Sequence, residues 1–288
     1  MQNQQKLYSI YQIYFLKEQL PGLDKDFIPY DNASSPPELR EYAVFKDIYE
    51  KKIHEQSVFT GAMSWKFSQK TSISGKTFCE FIEKNSDHDV LFINPFPHQD
   101  IHKSVWEQGE WFHPGITALT QQIFDHLHYD IDLKTLKDSP ATTAYCNFWV
   151  GNKTFWDEYM KFTLPIFHYI THEADDTFRE KILFLLADRK INSGYFPFMM
   201  ERLFSTFLCI RPDIKYKKYT YNGSELRRKY YQTACHVIKT WVAPHHGKTE
   251  AGEKFFEEKA YHSKKAYLGL LVRKIGYVLR LLWKSRYN

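Results

Sequence analysis

The chain has little of what marks fibrous, disordered or disulfide-stapled proteins. Its 288 residues include 12 Gly, 12 Pro and four Cys. So little Gly and Pro excludes collagen-like and low-complexity chains. Cys79, Cys146, Cys209 and Cys235 lie far apart, with no C-x-x-C pair and no Cys/His zinc spacing. Free thiols are expected, which suits a reducing compartment. No uncharged run approaches the roughly 20 residues of a transmembrane helix. The opening MQNQQKLYSIYQIYF lacks a basic segment followed by a long apolar core, so no secretory signal is expected. Acidic residues are missing from Lys264 onward.

What is present is ring surface and a mild positive charge. Hydrophobic residues make up 43% and aromatics 17%, ample for a packed core and for lining a groove. The net charge is +5 and the pI about 8.7, a bias toward anionic partners.

Patterning predicts strands at 7–15, 27–30, 57–67, 89–94 and 143–151. Helices are expected at 38–52, 73–85 with Ser74 as N-cap, 116–127, 153–170, 177–190 and 197–210. Residues 105–115 read as a polar-aromatic segment. Strands alternate with helices through the first half, and helices dominate afterwards. That order predicts an α/β fold: a mostly parallel central sheet, Rossmann-like, with helices on both faces and a helical C-terminal part. Ligands of such sheets bind at the carboxyl ends of the strands.

The candidate residues follow that rule. Gln12, Asp31 and Asn32 close the first two strands, where an amide and a carboxylate can read a base and a ribose diol. An Asx turn at Asp31-Asn32 is the plain alternative. In GAMSWKFSQKT, Gly61 allows close backbone approach, Ser64 follows, and Lys66 and Lys70 can offset a diphosphate. A solvated basic face is the alternative there. In WEQGEWFHPG, Trp106 and Trp111 flank Gln108, Glu110 and His113. Aromatic platforms beside hydrogen-bonding groups suit an acceptor sugar, and Glu110 or His113 can act as general base. The alternative is a structured segment with His113 bonded to backbone. Asn147 ends a strand. Glu201 lies in an otherwise apolar helix, where burial raises a carboxyl toward the range of a general base. A surface ion pair with Arg202 is its alternative.

Asp87-His88-Asp89 forms a D-x-D triplet, the pattern that holds a divalent metal against a nucleotide-sugar diphosphate. Here it precedes its strand and reads as a turn. The ligand-facing position is Asn94, a poor metal donor. No metal ligand is therefore assigned, although Mn²⁺ or Mg²⁺ stays possible as a cofactor.

Residues 246–288 form a linker and a tail distinct from 1–245. His245 and His246 sit in a Pro/Gly turn and make only a weak metal pair. The tail carries Lys264, Lys265, Arg273, Lys274, Arg280, Lys284 and Arg286 among apolar residues at helical spacing, with Trp283 near its end. That is the pattern of an amphipathic helix lying on an anionic membrane surface. Docking on its own domain and RNA binding are the alternatives.

The order YQIYF…FIPYDN…REYAVF…GAMSWKFSQKT…DVLFINPF…EQGEWFHPG resembles bacterial proteins of polysaccharide and lipopolysaccharide assembly that are described as glycosyltransferases. The second half is similar to a domain family linked to O-antigen galactosyltransferases, through Tyr145, Asn147, Tyr159, Glu201, Arg202 and Leu203. The likeness covers about residues 7–210. It implies a GT-A-like fold, a nucleotide-sugar donor (a UDP-sugar first) and a glycan or lipid-linked acceptor. It also implies work at the cytoplasmic face of the membrane, with no nucleic acid as partner. The chain departs from the pattern in lacking a strand followed directly by D-x-D. The competing expectation is a non-catalytic membrane-surface or RNA-binding protein.

Overall fold

The computed structural model describes residues 5–100, 102–185, 187, 193–226, 228 and 229. Contacts divide the chain into two units, Met1–Tyr219 and Thr220–Asn288. In the second, Asn222 Oδ1 accepts from the Ser224 and Glu225 N–H groups at 3.0 Å and so starts a helical turn. The expected boundary at 245/246, His245-His246, Cys235 and the basic tail lie outside the described residues.

The first unit is built on one sheet. Its strands are β1 (Lys6–Tyr14), β2 (Ile28–Asp31), β3 (Ser57–Ser64), β4 (Val90–Phe92), β5 (Trp149–Gly151) and β6 (Tyr216–Lys218). They lie in the order β2-β1-β3-β5-β4-β6. β1 runs parallel to β2 and β3, and β4 runs parallel to β6. β5 is antiparallel to both its neighbours. Five strands therefore point one way, and only β5 enters from their carboxyl edge. The chain leaves β1 toward β2 and then crosses back to β3 on the other side. This reversal opens a crevice at that edge.

The helices are α1 (Glu41–Glu50), α2 (Phe67–Thr71), α3 (Gly75–Lys84), α4 (Val105–Phe112), α5 (Ile116–His126), α6 (Lys153–His168), α7 (Asp176–Leu183) and α8 (Phe196–Ile210). Side chains alternate across a strand, so Phe148 and Trp149 face opposite layers. Trp149 packs with Phe45 of α1, Trp156 of α6 and Phe204 of α8, at centroid distances of 5.0, 4.8 and 5.7 Å. Phe148 packs on Phe67 of α2 at 5.3 Å, and Phe67 on Phe78 of α3 at 5.5 Å. Both faces of the sheet are thus covered, as patterning predicted.

Several local signals hold in three dimensions. Ser74 caps α3 by accepting from Thr77 N–H at 3.2 Å. Asn152 caps α6 by accepting from Phe155 N–H at 2.8 Å. Asp89 accepts from Asn152 Nδ2 at 2.9 Å and from Lys215 N–H at 2.9 Å. It braces the starts of β4, α6 and β6 at the edge opposite the crevice, as expected for the D-x-D triplet read as a turn.

Three expectations change. Residues 105–112 are helical, because Ser104 accepts from Glu107 N–H at 3.0 Å and starts α4. The strand expected over 143–151 pairs only at 149–151, because Cys146 and Asn147 adopt left-handed φ of 69° and 50° and break the pleat. The helix expected over 177–190 is α7, which ends at Leu183.

Candidate active site

The carboxyl edge brings together four segments distant in sequence. The 31–40 loop follows β2 and leads into α1. Trp65 and Lys66 follow β3 and lead into α2. Residues 93–100 follow β4, and residues 143–148 enter β5.

Lys70 and Glu201 meet around the last of these. Lys70 lies on the last turn of α2, and its Nζ donates to Cys146 Sγ at 3.2 Å. The same ammonium lies 5.8 Å from the centre of the Phe148 ring. Glu201, from the second turn of α8, accepts the Cys146 backbone N–H. Burial pushes the Glu201 carboxyl above its ordinary range, Lys70 opposes the rise, and Glu41 adds to it. For Lys70, burial pulls downward, but the Cys146 thiol and the Glu201 and Glu41 carboxylates hold it above its usual value. Burial pushes the Cys146 thiol up to about 12, so it is a neutral thiol at pH 7. The two carboxylates are then what keeps Lys70 charged.

The loop at the centre of this cluster is strained and incompletely bonded. Two consecutive non-Gly residues in the left-handed region cost on the order of 1–3 kcal/mol each. Asn147 is 8% exposed and Tyr145 3% exposed, yet Asn147 Oδ1 and Tyr145 Oη have no hydrogen-bond partner among the described residues. Gln99 Oε1, also buried, is in the same condition. Phe96, from the segment that carries Gln99, packs against the Tyr145 ring at 6.4 Å. Buried polar atoms are normally paired, so these are groups that water or a ligand would satisfy.

Glu41 is aimed by its own loop. Arg40 holds an unusual backbone, φ 48° and ψ −133°, and its carbonyl accepts from Asn32 Nδ2 at 3.2 Å. Asn32 therefore shapes the turn that delivers Glu41. Asp31 accepts from Ala33 N–H at 2.9 Å, the Asx turn, and from Tyr14 Oη–H at 3.2 Å. Its carboxylate remains exposed beside a cleft of about 320 Å³ bounded by Tyr30, Asn32, Ser35 and Lys46.

Other residues singled out in the sequence serve the framework. Gln12 is 1% exposed; its amide donates to the Ser64 and Trp65 carbonyls at 3.4 and 3.3 Å and accepts from Asp24 N–H at 2.6 Å. Gly61 lets β5 approach, since a Cβ there would fall 2.3 Å from the Trp149 carbonyl oxygen. Buried Ser64 accepts from Lys66 N–H at 3.3 Å. Lys66 Nζ sits 4.8 Å from the Trp65 ring centre. Asn94 is fully buried; it donates to Asp100 at 2.8 Å and accepts from Phe96 N–H at 2.9 Å.

Trp106, Gln108, Glu110, Trp111 and His113 all belong to α4 or its end. Trp106 Nε1 donates to Thr206 Oγ1 at 2.9 Å, and Gln108 Oε1 accepts from Arg202 Nη2. Glu110 caps α5, accepting from Gly115 and Thr117 N–H at 2.9 and 2.8 Å. Burial raises its carboxyl, but these bonds outweigh that and lower it overall, which suits a cap better than a base. His113 stacks on Phe198 at 3.7 Å. Trp111 is exposed.

A divalent cation does not fit the described residues at the end of β4. Asp100 is the carboxylate there, and it is already held by Asn94 and, at 3.2 Å, by Lys218. No cluster of three or more His, Cys, Asp or Glu suited to a metal occurs among the described residues. Nor is any helix among them long and apolar enough to cross a membrane.

The sheet and the crevice define the class: an α/β protein whose polar cluster lies at the carboxyl edge of a mostly parallel sheet. No family model and no curated protein matches the chain. Among solved structures it is similar to the apo structure of the WbbM bifunctional glycosyltransferase, at 15% identity and a TM-score of 0.48. That likeness covers 74% of this chain and 44% of that one, so the chain spans less than half the length of its structural neighbour.

Sequence reading had singled out Lys70, Asn147 and Glu201 but missed Glu41 and Cys146. Glu41 looks like any acid in a first helical turn. Cys146 looks like a buried thiol. The left-handed Cys146–Asn147 loop leaves no sequence signal, since neither residue is Gly.

Proposed function

We propose that the chain is a glycosyltransferase that moves a sugar from a nucleotide-sugar donor, a UDP-sugar first, to a glycan acceptor. The acceptor would be lipid-linked, or a lipopolysaccharide or capsule glycan, in bacterial surface-polysaccharide assembly. The observation that carries this reading is the convergence of Lys70 and Glu201 on Cys146 at the carboxyl edge of the sheet, Lys70 Nζ on its Sγ at 3.2 Å and Glu201 on its backbone N–H. Transfer of a glycosyl group from a diphosphate to a hydroxyl needs a base for the incoming hydroxyl and a positive charge for the departing diphosphate.

In this reading Glu201 and Lys70 supply them. Glu201, its carboxyl raised by burial, takes the acceptor proton as the new bond to the anomeric carbon forms. The bond from that carbon to the diphosphate breaks, and the electron pair leaves with the phosphate oxygen. Lys70, kept charged by Glu41 and Glu201, offsets the charge that develops there. The orphaned Asn147 Oδ1 accepts from a sugar hydroxyl, and Tyr145 Oη–H donates to one. Asp31 and Asn32 hold the nucleoside side, beside the cleft at the end of β2. The basic tail would keep the enzyme peripheral on the inner face of the membrane, next to a lipid-linked acceptor.

Thermal stabilisation by UDP, GDP or CMP, with and without EDTA, tests this. A UDP shift that Glu201→Gln retains, with donor turnover that it loses, is expected. No shift with any nucleotide together with tight RNA binding overturns the reading. Activity abolished by EDTA and restored by Mn²⁺ overturns the assignment of charge compensation to Lys70.

A further inference from the structure

A second cavity lies on the outer side of α4, with none of Lys70, Cys146 or Glu201 in its walls. It has a volume of about 710 Å³, enough for a short oligosaccharide. Ala118 and Leu136 offer its accessible apolar surface, over the buried Trp106 and Leu133, and Lys103, Lys134 and Lys137 stand around it.

The charges in this groove are committed unequally. Its two carboxylates are already spent on backbone. Glu107 accepts from Lys103 N–H at 2.5 Å, and Glu110 accepts from the Gly115 and Thr117 N–H groups. The three lysines are exposed, and none has a carboxylate within ion-pair distance among the described residues. An apolar floor matches the ring face of a pyranose. The carboxylates of Glu107 and Glu110 repel a continuous phosphate backbone, so a ligand with a local negative charge on an otherwise neutral, hydroxyl-rich frame fits better than RNA.

We infer that the groove between α4 and the 133–137 turn binds an anionic glycan, a short oligosaccharide carrying a carboxylate or a phosphate group. Resting on the transferase reading, this ligand is the acceptor, and the groove names its class: an acidic rather than a neutral sugar chain. The lysines act on affinity and on orientation, and take no part in the bond-making step. Their contribution weakens with salt, because exposed charges are screened over about 8 Å at physiological ionic strength.

Titration calorimetry on the full chain tests the groove. The probes are trigalacturonate for the carboxylate source, trehalose 6-phosphate for the phosphate source and maltotriose as the neutral control. At least one acidic probe is expected to bind at least ten-fold tighter than maltotriose, and the better one names the source. Lys134→Ala and Lys137→Ala are each expected to weaken it about 3–5-fold, and the pair about 10-fold, as for exposed charge pairs. Equal affinity for maltotriose, unchanged affinity in the double variant, or displacement of the probe by poly(U) overturns the inference. UDP binding is measured on the same samples. Its absence, with acidic-glycan binding intact, counts against the transferase reading and leaves the groove standing.

Discussion

Glu201 and Arg202 are neighbours on α8, and they serve two polar regions of opposite character. Glu201 looks into the crevice, where Lys70 and Glu41 share one field and the adjoining loop leaves Asn147 Oδ1 and Tyr145 Oη without partners among the described residues. Arg202 looks into the seam between α8 and α4. Its Nε donates to the Val105 carbonyl at 2.9 Å, Nη1 to the Phe198 carbonyl at 2.7 Å, and Nη2 to Gln108. Gly109 lets the seam close, since a Cβ there would fall 2.7 Å from Arg202 Nε. Both regions are charged and aromatic, but Arg202 is 2% exposed whereas Glu201, Lys70 and Glu41 are half-buried. Composition does not separate them; burial and the degree of bond saturation do. A saturated network rigidifies, whereas an unsaturated one is ready to exchange partners with a ligand.

The largest effect that tests this contrast is on chemistry. Glu201→Gln should lower transfer by about 10²–10⁴-fold, the range for a general base. Its melting temperature should stay equal or rise, because the neutral amide no longer carries a buried charge. An unfolded Glu201→Gln protein would place Glu201 with the seam.

Arg202→Met should do the reverse. It strips donors from two carbonyls and from Gln108, and each buried acceptor left unsatisfied costs about 1–3 kcal/mol. Chemical denaturation should show it, with the surviving folded fraction still turning over donor. Wild-type stability with lost activity would put Arg202 in the crevice.

Lys70→Met is expected to lower kcat/KM by about 10²-fold, as for loss of one charge-stabilising group. It carries a pH signature as well. Glu201 works as a base only when ionised, so the rate falls as pH drops through its raised pKa. Lys70 holds that pKa down, so its removal should move the acid limb to higher pH. A rate profile that does not move separates Lys70 from Glu201.

The smallest effect belongs to the structural carboxyls. Burial raises Asp138 from 3.8 to about 6, despite bonds from Val105 N–H and Cys209. The folded chain therefore keeps this proton to higher pH than the unfolded chain. Its contribution is complete below 3.8 and lost as pH rises to about 6. Asp138→Asn should flatten the melting temperature between pH 4 and pH 7, and a slope as steep as wild type would contradict the burial.

Much of the frame was legible from local chemistry. The apolar runs at 7–15 and 57–67 marked β1 and β3, and Ser74 marked the start of α3. α4 was missed because Gly109 and interleaved polar residues hide its apolar stripe. β6 was missed because Tyr216-Lys217-Lys218 carries the charge of an edge strand. In the site, Lys70, Asn147 and Glu201 stood out as polar residues placed after strands or within apolar helices. Trp106, Gln108, Glu110 and His113 stood out for the same reason, and they hold the framework.

The sequence by itself determined the layer order, the caps, the turn at Asp87–Asp89 and the supply of chemically able side chains. Those follow from periodicity and from bonds between residues a few positions apart. Only the tertiary structure decided which polar groups are spent and which are available. Residues 70, 146 and 201 meet, within the field of Glu41, because the chain crosses the sheet and returns through an antiparallel strand, and no local rule fixes whether a donor finds its acceptor 50 or 150 residues away.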